Sequence, residues 1–252
     1  MCFSVRNLLL ISALATGFVS CKKEDNPVVP VGGQLSGQVQ LWDSRTNTLA
    51  DHSGVTVSID GPSAETALTD ASGNYVFKDL RYGDYNLTFV KNGYGTYRLF
   101  NVAHRQATTA PTTMVNTVQL GQQTTTSIRS FTITGTTYTG NSGVSFQTTV
   151  SPNPTVSDRV YIRHFLSNDS TVSNTRFTFA SPLTSLISNN ATSGFTKNDL
   201  LAAGFKTGQT IYARIYTDSF QSNSYKNPVT NTWVFPNLNV AAPPAQSFVL
   251  TK

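Results

Sequence analysis

Apolar and polar residues alternate in short runs through the first third of the chain. Residues 35–41, 55–59, 75–77 and 85–89 carry apolar side chains at every second position. Successive side chains of a strand point to opposite faces of a sheet, so this period of two predicts strands with one buried face. Breaks rich in glycine and aspartate, residues that favour turns, separate the runs. The pattern predicts a sandwich of short strands over residues 34–122.

The chain beyond residue 126 carries longer apolar runs. Four of them are typical of buried strands, at 160–165, 177–179, 211–216 and 233–235. Only residues 197–203 could form a helical turn or two, which Gly204 would end. We therefore predict a second sandwich over residues 127–252. Residues 108–126 are expected to hold the last strand of the first sandwich, with alternating Met114, Asn116, Val118 and Leu120, and a connector.

Composition supports this all-β prediction. The chain has 36 Thr but only two Glu, and 12% of its residues are charged. Threonine favours extended backbone, whereas the residues that build surface helices are sparse. This excludes a helical bundle and an α/β protein with helices on both faces of a sheet. The 15 Phe and 10 Tyr are enough for packed cores.

Glycine and tyrosine recur at regular spacings in the first sandwich. The series reads Gly37-x-Val39, Gly54-Val55-x-Val57-x-Ile59, Thr69-Asp70-x-x-Gly73-x-Tyr75-x-Phe77, Gly83-x-Tyr85-x-Leu87 and Lys91-x-Gly93-Tyr94. It resembles the carboxypeptidase regulatory-like family. The resemblance implies a transthyretin-like β-sandwich without catalytic residues, a module often found in bacterial surface proteins. The second sandwich, with about seven strands, suits an immunoglobulin-like or fibronectin-III-like fold.

The N-terminus has the pattern of a secretory signal. Arg6 precedes an apolar run at residues 8–19, which is shorter than the ~20 residues of a membrane-spanning helix. We predict a signal peptide over residues 1–20. Residues 18–21 resemble the lipobox of bacterial lipoproteins, which implies a lipid on Cys21. A soluble exported protein with a cysteine near its cleavage site is the alternative.

Cysteine usage agrees with the lipid. Cys2 would leave with the signal peptide, so Cys21 would be alone in the mature chain and could form no internal disulfide. Stable anchoring needs at least two acyl chains, which a lipidated Cys21 would carry. We therefore expect the membrane to be one partner of the protein.

A charged segment follows Cys21. Lys23, Glu24 and Asp25 resemble the surface-export signal of Bacteroidota lipoproteins, and a plain charged tether is the alternative. The lipidated cysteine and a flexible tether would occupy residues 21–33. The expected location is the outer membrane, facing the cell exterior.

The sequence contains no catalytic or metal-binding motif that we could identify. His52, His104 and His164 are isolated, and no zinc, nucleophile-elbow or phosphate-loop pattern occurs. Most aspartates stand beside turn residues, where they serve as hydrogen-bond acceptors. We predict no enzymatic activity, no catalytic or metal-ligating residue and no cofactor. An enzyme with an unrecognised site stays an alternative.

Aromatic residues are the candidate ligand platforms. Trp42, Tyr94 and Tyr97 are preferred because they lie at strand ends or in a glycine-rich turn, with Tyr225 and Trp233 as further candidates. The alternative for each is a place in the core. A separate pattern, Asp169-Ser170-Thr171, is similar to the O-glycosylation site of Bacteroidota exported proteins and marks Ser170. A plain polar loop is its alternative.

Charge is divided unevenly between the sandwiches. Residues 33–110 hold six basic and seven acidic residues, whereas residues 115–252 hold nine and four. The basic residues are scattered, which argues against nucleic acid as a partner, and an acidic glycan or a phosphate-rich outer leaflet is the better expectation. Three functions remain open: a glycan-binding accessory of a polysaccharide uptake system, an adhesion or spacer protein that meets another surface protein, and an unrecognised enzyme.

Overall fold

A computed structural model of the chain describes residues 32–107, 113–136 and 143–251. The predicted signal peptide and the predicted functional residues Cys21, Lys23, Glu24 and Asp25 lie outside the described residues. None of the helices within the described ranges combines the length and the apolar character that crossing a membrane requires.

The first sandwich packs two sheets face to face. Its strands are β1 Gly32–Trp42, β2 Thr56–Asp60, β3 Glu65–Leu68, β4 Asn74–Arg81, β5 Gly83–Val90, β6 Tyr97–His104, β7 Thr113–Met114 and β8 Val118–Gly121. One sheet has the order β4-β1-β7 with β8 also on β1, and the other has the order β3-β2-β5-β6. The alternating residues Tyr85, Leu87 and Phe89 of β5 are buried between them, as the period of two predicts.

The end of this sandwich differs from the single strand that we predicted. β7 and β8 are separate short strands, and both run parallel to β1. Between them the Val115 N–H donates to the carbonyl oxygen of Ser36 at 2.8 Å, and Val115 is buried while Met114 is 66% exposed. The buried residues here are Val115 and Val118, which are three positions apart. The strict alternation of buried and exposed residues is therefore interrupted over residues 115–117.

The second sandwich also has two sheets. Its strands are β9 Ser127–Thr136, β10 Gly143–Ser151, β11 Val160–Ser167, β12 Phe179–Ala180, β13 Thr184–Leu186, β14 Ala191–Thr196, β15 Thr210–Asp218 and β18 Gln246–Val249. The orders are β14-β10-β9 and β12-β11-β15-β18, with β13 on β11. A separate hairpin joins β16 Tyr225–Lys226 to β17 Trp233–Val234. The all-β prediction of two tandem sandwiches is confirmed.

The predicted helical turn is α1, Lys197–Ala202. Thr196 and Asp199 form a reciprocal capping box at its start, in which each side chain accepts a hydrogen bond from the other residue's backbone N–H. Gly204 follows the helix with a φ of 94°, a conformation that glycine adopts at low cost.

Strand β11 is buried on both faces, and this positions the site. Ile162 and Leu166 point into the core between the two sheets. Phe165 points the other way, into a smaller core that includes Tyr216 and Leu238. Parts of residues 172–182 and 233–245 therefore cover the outer face of this sheet.

The two sandwiches lie within one compact unit, residues 31–252. Phe220 of the second sandwich packs its ring 5.7 Å from that of Trp42, measured between centroids. The side-chain oxygen of Asn237 accepts a hydrogen bond from the Gly95 N–H at 2.9 Å. The segment after β15 thus connects the second sandwich to the first.

Candidate functional site

An open hollow of about 460 Å³ lies on the outer face of the β11–β15 sheet. We call it the aromatic hollow and define it by Arg163, Phe177, Phe179, Ser181, Trp233 and Phe235. Three parts of the chain build it: strand β11, the segment that leads through β12, and the hairpin β16–β17 with the residue after it. It therefore depends on tertiary packing rather than on a local motif.

Aromatic rings set the shape of the aromatic hollow. The buried ring of Phe165 lies beneath it and meets Phe177 and Phe235 edge-on, with centroids 5.1 Å away in each case. Trp233 lies nearly parallel to Phe235 at 6.3 Å. Aromatic rings prefer these edge-on and offset contacts, so the packing fixes the side chains that line the hollow.

Arg163 supplies the positive charge of the aromatic hollow and is only 7% exposed. Its Nε donates to Asp218 Oδ2 at 3.1 Å and its Nη1 donates to the Ser181 carbonyl oxygen at 2.6 Å. The guanidinium carbon lies 4.8 Å from the ring centroid of Phe235, a cation–π contact. Arg163 and Asp218 are diagonal neighbours on strands β11 and β15, and this explains why both point outward from the sheet.

Burial dominates the electrostatics of Asp218. The carboxyl group is removed from water, and this raises its pKa to about 6, although Arg163 and the Ser219 N–H both favour the carboxylate. The 3.1 Å contact alone would suggest a strongly lowered pKa. The full burial of the carboxyl group outweighs it, because desolvation costs more than one ion pair returns.

The exposed aromatic of the hollow is Trp233, with 49% of its surface accessible. Our prediction of a buried strand over residues 233–235 is wrong in this respect, because β17 belongs to a two-stranded hairpin rather than to either sandwich sheet. Phe177, which we predicted to begin a strand, instead precedes the observed strand β12, Phe179–Ala180. The sequence signal for the site is Arg163, a charged residue inside an apolar run.

The three preferred aromatics occupy other places. Tyr94 is 9% exposed and belongs to the first core, which corrects the expectation of an exposed platform. Burial raises the pKa of Tyr94 and of Tyr97. Trp42 is half-buried against Phe220, and Tyr97 packs between Phe89 and Tyr225. Contacts within and between the sandwiches therefore cover much of the surface of these three rings. None of the three residues lines the aromatic hollow.

Ser170 lies in an exposed turn after β11. Asp169 Oδ1 accepts hydrogen bonds from the Thr171 N–H and hydroxyl at 2.8 Å each, and Asp169 Oδ2 lies 3.7 Å from Arg176 Nη1. The turn presents the Ser170 side chain to solvent. Glycosylation of Ser170 stays a prediction.

Each histidine has a separate structural role. His52 Nδ1 accepts from the Leu41 N–H at 3.1 Å, His104 is hydrogen-bonded to Thr113 and Leu80, and His164 lies in the second core. Within residues 32–107, 113–136 and 143–251, no three His, Cys, Asp or Glu side chains come together as metal ligands would.

Comparison with known families identifies the first sandwich. Residues 34–129 match the carboxypeptidase regulatory-like domain, which confirms the resemblance seen in the glycine and tyrosine spacings. The matched family is a non-catalytic kind of domain. None of the curated proteins matches the chain.

Several solved structures are similar to this chain. A cohesin–X-dockerin complex from Acetivibrio cellulolyticus is 27% identical over 35% of this chain and 57% of its own, with a TM-score of 0.30, so the match spans less than two thirds of that chain. A DUF3823 family protein from Parabacteroides merdae is 13% identical over 86% and 98% of the two chains, with a TM-score of 0.31. A candidate carbohydrate-binding protein from Bacteroides uniformis is 12% identical over 87% and 100%, with a TM-score of 0.30.

Proposed function

We propose that this protein is a non-catalytic surface lipoprotein that binds a glycan in the aromatic hollow. The observation that carries the proposal is the half-exposed ring of Trp233 beside an open hollow. Sugar rings have apolar faces that stack on aromatic side chains, while their hydroxyl groups need fixed polar partners. Arg163 and the neighbouring backbone supply such partners.

The packing of the aromatic hollow favours binding over a purely structural role. Trp233 is held nearly parallel to Phe235, so its ring can meet a ligand without much loss of side-chain freedom. A tryptophan that only filled the core would be buried, because burial of its large surface is its main contribution to stability. The carboxypeptidase regulatory-like domain, a non-catalytic kind of domain, supports a binding module rather than an enzyme.

Polysaccharide binding can be tested by affinity electrophoresis of the purified protein in gels that contain polygalacturonate, galactan or dextran. We expect at least one polysaccharide to retard the protein, and Trp233→Ala to weaken this binding about tenfold, a loss that corresponds to one stacking contact of ~1.4 kcal/mol. Val229→Ala is the control, because Val229 is 89% exposed in the loop of the same hairpin and does not line the aromatic hollow. Equal binding by parent and Trp233→Ala would contradict the proposed site.

Membrane attachment through Cys21 is part of the proposal. The lipobox-like residues 18–21 and the absence of a second cysteine in the predicted mature chain support it. Cys21→Ser should move the protein from the membrane pellet to the soluble exported fraction, whereas Cys2→Ser, inside the predicted signal peptide, should leave it in the pellet. A Cys21→Ser protein that still sediments with membranes in high salt would contradict the lipid anchor.

A spacer role is the second candidate function, and the contact between the sandwiches favours it. The ring contact between Phe220 and Trp42 and the hydrogen bond between Asn237 and Gly95 would keep the two sandwiches from moving independently. A stiff pair of domains can hold a partner away from the membrane. Absence of binding to a broad set of polysaccharides would favour this candidate.

A further inference from the structure

We propose that the aromatic hollow selects acidic saccharides, with a uronate carboxylate held between Arg163 and Lys226 while the sugar ring stacks on Trp233. This inference rests on the proposed function and names the class of glycan. Three observations carry it: a donor of Arg163 without a partner, the position of Lys226 beside Trp233, and the pairing of the nearby acidic groups.

Arg163 is a buried cation whose guanidinium group is only partly engaged in hydrogen bonds. Asp218 accepts from its Nε and Ser181 from its Nη1, whereas its Nη2 donates to none of the described residues. The residue lines the aromatic hollow, and its ion pair and its contact with Phe235 fix the guanidinium plane. A fixed guanidinium donor matches the planar geometry of a carboxylate, and charge-assisted hydrogen bonds are stronger than neutral ones.

Lys226 adds a second cation beside Trp233 in the hairpin, although it does not itself line the hollow. It pairs directly opposite Trp233 in the antiparallel hairpin β16–β17. Directly opposite residues project from the same face, so the Lys226 ammonium group can reach a substituent of a sugar stacked on Trp233. Lys226 is exposed, and in the described part of the chain it forms no ion pair that would occupy its charge.

The nearby acidic groups do not oppose an anion. The four aspartates of the second sandwich are engaged, since Asp158, Asp169 and Asp218 pair with arginines and Asp199 belongs to the capping box. Asp218, the acidic partner at the hollow, lies behind Arg163 with its side chain fully buried. Asp218 offsets one of the two cations, and Lys226 leaves the hollow with a net positive charge. A neutral sugar would leave that charge unused, whereas a uronate would meet it.

The selectivity test compares one polymer in two charge states by titration calorimetry. The ligands are an oligogalacturonate and the neutral oligogalactan obtained by reducing its carboxyl groups. We expect the acidic form to bind the parent protein about tenfold more tightly, as one charge-assisted contact of ~1.4 kcal/mol predicts. Lys226→Gln should remove most of this preference, because it removes one of the two cations proposed to face the carboxylate. Lys206→Gln, another exposed lysine of the second sandwich, should keep the preference.

The outcomes separate this inference from the proposed function. Equal affinity for the acidic and neutral forms, or an unchanged preference in Lys226→Gln, would overturn the acidic selectivity and leave glycan binding intact. Binding of dextran sulfate but not of oligogalacturonate would show sulfate rather than carboxylate recognition and would also overturn it. Failure of the protein to bind any saccharide would contradict the proposed function itself. The test uses Lys226→Gln rather than a variant of Arg163. Loss of Arg163 would leave the buried Asp218 carboxyl group unpaired and could unfold the protein.

Discussion

His164 lies in the core of the second sandwich with its ring beside Phe131, Phe146 and Phe195. Its Nε2 is 3.0 Å from the Ser193 hydroxyl, and its Nδ1 is buried without a partner in the described structure. Burial lowers the pKa of His164 to about 4, because the charged imidazolium would be desolvated. A single residue therefore makes the stability of the whole sandwich sensitive to acid.

The pH dependence has a definite sign. The His164 pKa is lower in the folded state than in the unfolded state, so the unfolded state binds more protons and stability falls as the pH drops from 6.5 toward 4. We expect this group to cost about 2 kcal/mol at pH 5 relative to pH 7. Asp218 acts in the opposite direction, because its raised pKa lets the folded state take up a proton first as the pH falls below about 6.

Comparison with His164→Leu isolates the histidine from Asp218. Urea unfolding at pH 7 and pH 5 should show a loss of unfolding free energy in the parent that exceeds the loss in the variant by about 2 kcal/mol. The contribution of Asp218 is common to both proteins and cancels in this difference. An equal loss in parent and variant would contradict the buried neutral state of His164.

At the scale of elements, the turn over residues 70–73 carries the chain from one sheet of the first sandwich to the other. The Gly73 N–H donates to the Asp70 carbonyl oxygen at 2.9 Å, and the Gly73 carbonyl oxygen accepts from the Val39 N–H at 2.8 Å. Gly73 has a φ of 82°, and a Cβ at this position would lie 1.9 Å from the Val39 carbonyl oxygen. The turn thus needs glycine both for its backbone conformation and for its contact with β1.

Gly73→Ala should lower the free energy of unfolding by more than ~2 kcal/mol, because strain of ~1 kcal/mol from positive φ adds to displacement of the backbone. Gly93→Ala is the matched control. Gly93 has a similar φ of 80°, but its nearest neighbour, Gln122 Nε2, would be 3.9 Å from the new Cβ. The control should show only the strain. Equal destabilisation in denaturant unfolding would mean that the Val39 contact does not constrain the turn.

The sequence predicted the strands far better than it predicted the site. Alternation located β1 and β5 because one face of each is buried, and the apolar run located β11 because both of its faces are buried. Trp233 was among the further candidate platforms, but the hollow around it escaped prediction, since a run such as 233–235 is equally compatible with a core strand and an exposed hairpin. Tyr94 was wrongly expected to be exposed, because a position next to a glycine-rich turn does not show whether its side chain points to solvent or into the core.

At the scale of the whole molecule, polar groups connect the two sandwiches. Asn237 is fully buried, accepts from the Gly95 N–H, and donates to Gln221 O at 2.6 Å and to Asn223 Oδ1 at 2.8 Å. Asn223 in turn accepts from the Gly121 N–H of the first sandwich at 2.8 Å. Buried polar groups are costly when unpaired, so these bonds favour one mutual arrangement of the sandwiches.

Asn237→Ala should destabilise the protein by roughly 2–4 kcal/mol, because it leaves the Gly95 N–H and other buried groups unpaired. We expect scanning calorimetry to show a broadened or divided transition as the sandwiches lose their coupling. Asn168→Ala is the control, since Asn168 is exposed in a turn after β11. A variant that unfolds in one transition at the parent temperature would contradict the coupling role of Asn237.

The central claim, that a saccharide stacks on Trp233, can be measured directly by fluorescence. The chain has two tryptophans, so Trp42→Phe leaves Trp233 as the only indole reporter. Titration of this variant with oligogalacturonate should shift the emission to shorter wavelength in a saturable way, because stacking removes water from the exposed ring. A Trp233→Phe protein, which keeps Trp42, should show no such shift. Saturable binding by calorimetry together with unchanged Trp233 emission would contradict the account.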